Sequence, residues 1–233
     1  ADVQGDSTAI EAQILRSRAL IRLGRFGDAI NLVELALESA ESAFGLDNVL
    51  VGSALHYRAL ALHESGSLIR ALDSYWPAVE VRTRVHGKYS REVAASYNNI
   101  GNVYWRLGLL DRAIETHNSA LAIKREILSP GDPEIAITLS NLANLLVITR
   151  DSIRAEFYYG EARRIYDGAE SNPLFLAKTR DNYGELLMSS GRVDEAAPQL
   201  TAANATFKRL LPAGHGSIGV SEVHMGRLEL LQG

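Results

Sequence analysis

The sequence contains no cysteine, which excludes disulfide bonds, thiolate metal ligands and a cysteine nucleophile. Proline is scarce, with six in 233 residues, while Leu and Ala are abundant, and this composition favours helices over strands. No run approaches the roughly 18 consecutive apolar residues that a membrane helix requires. The sequence therefore predicts an all-α protein, and we expect no membrane association.

An excess of positive charge is also missing. There are 24 basic and 28 acidic residues, and the net charge is −4. Because DNA- and RNA-binding surfaces are usually basic, we expect no nucleic-acid partner. With 46% hydrophobic and 22% charged residues, the composition is that of a folded protein. The expected compartment is the cytoplasm, with a processed, exported form as the alternative because the sequence begins at Ala1.

Sequence motifs of catalysis and of cofactor binding are lacking. The sequence has no Gly-rich phosphate loop after a strand, and His-Glu-x-x-His, Gly-x-Ser-x-Gly and Ser-x-x-Lys do not occur. His56 and His63 are seven residues apart, about 10 Å along a helix axis, which is too far to share a metal ion. We therefore predict a protein without enzymatic activity, cofactor or metal.

What the sequence does contain is a repeat of about 42 residues. A marker residue, usually glycine, recurs at intervals of 41 or 42: Gly24, Gly66, Gly108, Arg150, Gly191 and Gly233. An alanine follows five residues after the first five markers: Ala29, Ala71, Ala113, Ala155 and Ala196. A fixed period of this length is typical of a repeat protein built from identical structural units.

Each unit has the pattern of two amphipathic helices joined by a short turn. In the clearest unit, Gly101, Ala113 and Ala120 lie where two helices approach closely, beside an apolar stripe with helical spacing. One such hairpin cannot bury its own apolar face, so it must stack on copies of itself. We predict one array over residues 1–233, with repeats at about 8–48, 49–90, 91–132, 133–173 and 174–216. Residues 217–232 form a further helix, interpreted either as a polar cap or as part of a longer array.

Helix starts and stops are visible between the units. Ser90 precedes Arg91 as a candidate N-cap, and Asp132-Pro133-Glu134 places a cap, a first-turn proline and an acid in order. Asn172-Pro173 is predicted to repeat this arrangement. Glycines in the corresponding stop regions are expected to end helices through a left-handed residue: Gly45, Gly87, Gly131 and Gly214.

The hairpins resemble the tetratricopeptide repeat, in the 42-residue form found in kinesin light chains. The connecting segment of that form, loosely L-G-x-D-H-P-x-V-A, is matched best by Ser129-Pro130-Gly131-Asp132-Pro133-Glu134-Ile135-Ala136. Its first-helix phrase N-N-L-A is matched by Asn98-Asn99-Ile100-Gly101, Ser140-Asn141-Leu142-Ala143 and Asp181-Asn182-Tyr183-Gly184. The resemblance implies a right-handed α-α superhelix of five hairpins plus a terminal helix, whose first helices line a concave groove.

A peptide is expected to lie in that groove, against one stripe of each first helix. The candidate binding residues are His56, His63, Asn98, Asn102, Trp105, Arg106, Asn144 and Lys178. Carboxamides can bond both the N–H and the C=O of an extended chain, and Trp105 adds a rigid apolar anchor. The alternative is that Asn98 and Asn102 are merely solvated and that Trp105 packs between repeats.

Asn99, Asn141 and Asn182 recur in register, and we interpret them as structural links from one repeat to the backbone of its neighbour. The leading functional hypothesis is a scaffold that binds an extended peptide or partner protein. One alternative is a regulatory sensor for a small ligand or signalling peptide. The other is a self-assembling array, in which a monomer or weak homo-oligomer associates through the C-terminal end.

Overall fold

The structure is a computed structural model that describes residues 3–169 and 172–233, and the regular elements found there are eleven α-helices. They are α1 Val3–Arg22, α2 Phe26–Phe44, α3 Val49–Glu64, α4 Leu68–His86, α5 Arg91–Arg106, α6 Leu110–Ile127, α7 Pro133–Ile148, α8 Ser152–Ala169, α9 Pro173–Ser189, α10 Val193–Leu210 and α11 Gly216–Gln232. The helices lie where the hairpin pattern predicts them. Helix α1 begins at Val3, five residues before the predicted start of the first repeat at residue 8.

The chain forms two compact units, Ala1–Ile127 and Leu128–Gly233. In the first unit α1–α2, α3–α4 and α5–α6 are hairpins, and each later first helix packs on both helices of the preceding hairpin. In the second unit the hairpins are α7–α8 and α9–α10, and α11 packs on both helices of the latter. The hairpins therefore stack on their neighbours within each unit, while a single array over 1–233 stays a prediction.

The six marker residues share one backbone conformation. Their φ angles lie between 62° and 87°, in the left-handed region that L-residues avoid. At the second marker, Gly66 N–H donates to His63 O, and the next residue, Ser67, donates to Leu62 O, so the helix end is closed before α4 begins. Arg150 adopts the same conformation at φ 62°, although it has a side chain. The 42-residue register therefore determines this turn even where glycine is absent.

Glycine has a different role inside two first helices, where it permits close packing. A Cβ built on Gly101 would lie 2.7 Å from ring atoms of His117, and one on Gly184 would lie 2.6 Å from Cγ of Leu200. In each case a small residue on the first helix faces a large, fully buried residue on the second helix. The predicted close approach at Gly101 is confirmed.

Helix caps agree with the sequence in part. Ser90 Oγ accepts from Val93 N–H at 3.3 Å, and Asp132 Oδ1 accepts from Glu134 N–H at 2.9 Å, as predicted. Asn172 is different, because it has φ 66° and its side chain makes no cap hydrogen bond, so the predicted cap is wrong. Gly131 was expected to be left-handed like Gly45, but it is not.

Among the described helices, none is long and apolar enough to cross a membrane. On α11, apolar side chains remain substantially exposed within the second unit: Val220, Val223, Leu230 and Leu231. Self-association through this end stays a prediction.

Candidate functional site

One face of α5 carries three of the predicted binding residues. Asn98, Asn102 and Trp105 are separated by four and three residues, so they lie on the same side of the helix. All three side chains are half-buried, which leaves part of each accessible. The helix that presents them starts at the Ser90 cap and packs on the hairpin α3–α4. We call Asn98, Asn102 and Trp105 the α5 face.

Arg106 borders the α5 face and also links two repeats. Its Nη1 donates to the backbone oxygen of His63, at the C-terminal end of α3, at 2.6 Å. A cation at this position is favourable because the end of a helix carries partial negative charge. Arg106 remains exposed, and its guanidinium group has five N–H donors. Donors other than the one bonded to His63 can therefore bind a ligand.

The structure removes His56 and His63 from the candidate site. Their exposed fractions are only 7% and 6%, so the prediction that they face an open groove is wrong. His56 Nδ1 lies 3.1 Å from Ser96 Oγ, and its ring packs edge-on against Tyr75. Burial, and then the nearby Arg82, hold the pKa of His56 well below its ordinary value, which favours the neutral ring. His56 therefore packs between α3, α4 and α5, and His63 is buried.

In the second unit, Asn144 is half-buried and its carbonyl oxygen is already used. Asn144 Oδ1 accepts from the hydroxyl of Tyr159 at 2.5 Å and from Nδ2 of Asn182 at 2.8 Å. These bonds join α7, α8 and α9, and they give Asn144 a structural role. Lys178 is exposed on α9 and lines a cleft whose other walls are mostly apolar.

One of the three recurring asparagines, Asn182, links two helices, and it does so through a side chain rather than through backbone. Asn182 Nδ2 donates to Asn144 Oδ1 at 2.8 Å, which joins α9 to α7. For Asn182 the predicted backbone partner is wrong, because its carboxamide donates to the side chain of Asn144 instead. For Asn99 and Asn141 the link to a neighbouring backbone stays a prediction.

Sequence reasoning missed two arrangements besides the cleft at Lys178. One is a cleft of about 360 Å³ on α4, α5 and α6, lined by Trp76, Tyr97, Tyr104, Arg112, Glu115, Thr116 and Ser119. In it the rings of Trp76 and Tyr97 meet edge to face, with centroids 6.1 Å apart. Three separate helices supply the lining, so no local motif marks it. Only Trp76, a large aromatic residue, could have indicated the cleft from the sequence. In the structure 38% of Trp76 is accessible.

The other arrangement is an ionic cluster between α9 and α11. His224 Nδ1 lies 3.1 Å from Oδ2 of Asp181, which is 96% buried, and Arg227 Nη1 lies 2.5 Å from Glu185 Oε1. The hydrogen bond to Asp181 raises the pKa of His224. Over residues 3–169 and 172–233, no group of three or more acidic or histidine side chains could hold a metal ion.

Comparison with known families identifies the repeat. The tetratricopeptide repeat model matches residues 50–126 and 92–168, which overlap and together cover just over half of the chain. The chain belongs to the tetratricopeptide repeat family. It is also similar to Protein KINESIN LIGHT CHAIN-RELATED 2 of Arabidopsis thaliana, with 25% identity over 143 residues, or 61% of this chain. The chain spans about a fifth of the length of that relative.

Solved structures of tetratricopeptide repeat proteins share the fold. BtubC (BKLC) from P. vanneervenii superposes over 90% of this chain and 92% of its own, with a TM-score of 0.74 and 18% identity. The apo form of RapI covers 97% of this chain and 61% of its own, with a TM-score of 0.74 and 19% identity. A Rap protein complexed with Competence and Sporulation Factor covers 96% and 64%, with a TM-score of 0.65 and 17% identity.

These likenesses confirm the predicted all-α solenoid of helical hairpins and the kinesin-light-chain-like repeat. Tetratricopeptide repeats form a family of protein-interaction scaffolds that are generally non-enzymatic, and the chain is a scaffold of that kind. The partner and the binding surface are matters of proposal.

Proposed function

We propose that this chain binds an extended peptide segment of a partner protein, and that the α5 face is the centre of the binding surface. The observation that carries the proposal is the alignment of two accessible carboxamides and an indole on one side of a single helix. Asn98 and Asn102 would bond the peptide backbone, and Trp105 would cover an apolar side chain of the ligand.

The proposal is supported by the tight packing of α5, which holds the α5 face rigid. Ile100, Val103 and Tyr104, which alternate with the face residues along α5, are almost fully buried against the neighbouring helices. Such packing fixes the helix before the ligand arrives, so little entropy is lost in ordering the protein on binding. Arg106 at the edge adds a positive charge next to the face, which favours peptides with an acidic residue at the matching position.

The solved relatives are consistent with this use of the fold. The Rap protein that superposes on 96% of this chain was crystallised in complex with Competence and Sporulation Factor, so a protein that contains this arrangement of helices binds a partner factor. We place the predicted residues of the second unit outside the main contact. Asn144 holds α8 and α9 together through Tyr159 and Asn182, and Lys178 belongs to a separate cleft.

The test is a peptide-array screen with the wild-type chain, followed by calorimetric titration of the best binders against Asn102→Ala and Trp105→Ala. Loss of two backbone hydrogen bonds predicts about tenfold weaker binding for Asn102→Ala. Trp105→Ala is expected to weaken binding more strongly because an aromatic anchor is removed.

Asn118→Ala is the matched control, since it removes an exposed carboxamide from the second helix α6. This variant should bind the selected peptides as tightly as the wild type does. If the selected peptides bind all three variants as tightly as the wild type, the α5 face is not the binding surface.

A further inference from the structure

A second cleft, unrelated to the α5 face, lies in the second unit beside the loop between α10 and α11. It has a volume of about 260 Å³ and is lined by Leu174, Phe175, Lys178, Phe207, Leu211, His215 and Ser217. Four of these seven side chains are apolar, and three can donate a hydrogen bond. None carries a negative charge at pH 7.

The apolar part of the cleft has a fixed floor and open sides. Phe207 is 97% buried and packs with Ala177 and Ala203, so the base of the cleft belongs to the core of the unit. Phe175 is 42% exposed, and its ring stacks on Tyr166 at a centroid distance of 6.4 Å. This stacking holds an exposed aromatic wall in place above a buried floor.

The polar part of the cleft consists of donors. Lys178 is exposed, and it forms no ion pair with the described residues. Lys208, in contrast, is paired with Glu222 at 2.9 Å in the same unit. His215 Nδ1 accepts from the backbone N–H of Ser217 at 3.2 Å, so the proton of the neutral ring is on Nε2, which makes that nitrogen a donor.

We propose that this cleft binds a small amphipathic carboxylate, with its apolar group on Phe207 and Phe175 and its carboxylate beside Lys178. An apolar wall beside a cation and hydrogen-bond donors selects an anion attached to an apolar group. The volume lies just below the roughly 300–1,000 Å³ of typical small-molecule pockets, so a ligand with a single short chain or ring fits best. This site is independent of the peptide surface proposed above, because none of its residues lies on α5.

Octanoate and 3-phenylpropionate are suitable probes, with octanamide as the uncharged analogue. Binding to the full chain is followed by calorimetry and by NMR of the methyl groups of Leu174 and Leu211. We expect saturable shifts of these two residues, and at least tenfold weaker binding of octanamide. Equal binding of octanamide and octanoate would show an unspecific apolar surface and overturn the proposal, as would the absence of saturable shifts.

Substitutions of Lys178 show whether its charge or its packing contributes to the binding of octanoate. Lys178→Gln is expected to weaken octanoate binding about tenfold, and Lys178→Arg should retain most of it. Lys208→Gln removes a lysine from the same unit but outside the cleft, and should leave the affinity unchanged. If Lys178→Gln binds octanoate like the wild type, the assigned carboxylate position is wrong. Peptide binding through the α5 face would be unaffected by any of these results.

Discussion

Replacement of Gly101 by alanine tests how closely α5 and α6 pack. The new Cβ would lie 2.7 Å from Cδ2 and Nε2 of His117, whereas ordinary contacts begin at 3.4 Å, so about 0.7 Å must be gained by movement. His117 has no exposed surface and cannot turn into solvent. Burial, and then the charge of Lys124, lower the pKa of His117 to about 4, so the ring is neutral at pH 7.

Two effects of opposite sign determine the magnitude. Forcing an extra methyl into a packed core costs about 1–3 kcal/mol. Alanine is preferred to glycine inside a helix by about 1 kcal/mol. The overpacking effect is the larger, and we expect Gly101→Ala to lower the free energy of unfolding by up to about 2 kcal/mol. Gly160→Ala is the matched control, because no atom lies within 4 Å of its new Cβ in α8, and it should be stabilising by up to about 1 kcal/mol.

The assay is urea unfolding followed by circular dichroism, for both single variants and for a double-mutant cycle with His117→Ala. Once the ring is removed, Gly101→Ala should gain its helix preference, so the cycle should show a coupling of at least about 1 kcal/mol. The reasoning is refuted if Gly101→Ala stabilises the chain as much as Gly160→Ala does, or if the two substitutions in the cycle are additive.

Two further predictions concern stability. Asp181 raises the pKa of His224, so the contact between α9 and α11 should be stabilising below pH 6.5 and weaken as the pH rises through the folded-state pKa. The protection factors of amide hydrogen exchange in α11, which correct for the intrinsic pH dependence of exchange, should therefore be lower at pH 8.5 than at pH 6, and His224→Gln should abolish the difference; equal protection factors in the wild type would contradict this. Arg150→Gly should raise the free energy of unfolding by about 1 kcal/mol, because a side chain is disfavoured at φ 62°. Gly108→Ala should be destabilising in the same urea assay, and a neutral result for both would show that these turns carry no strain.

The fold was predictable because its determinants are local and repeated. The turn that recurs every 42 residues requires a backbone with positive φ. Glycine adopts this conformation readily, as Gly66 and Gly108 do, so its spacing reveals the turns. The register even located the turn at Arg150, where the residue type gives no signal. Asn172 was misread because the same local sequence, Asn-Pro, is compatible with a capping side chain and with a left-handed backbone.

The accessible residues of the candidate site could be predicted only where no neighbouring helix covers them. Helical spacing correctly groups Asn98, Asn102 and Trp105, since direction around one helix follows from sequence alone. It does not show which side chains a neighbouring helix covers. His56 is enclosed by Tyr75 and Ser96, which lie 19 and 40 residues further along the chain, and no pattern within α3 reports them. Both clefts escaped prediction for the same reason, because each combines residues from several helices.

The hydrogen bond from Arg106 to the backbone of His63 bears on the order in which the repeats pack during synthesis. In this pair, and in the pairing of His224 with Asp181, the side chain that supplies the nitrogen lies 43 residues after its acceptor. During synthesis from the N-terminus, the acceptor therefore leaves the ribosome first and stays hydrated until the helix that carries its partner emerges. A truncation that removes the later hairpin would leave the earlier one with an unpaired polar group as well as a bare apolar face.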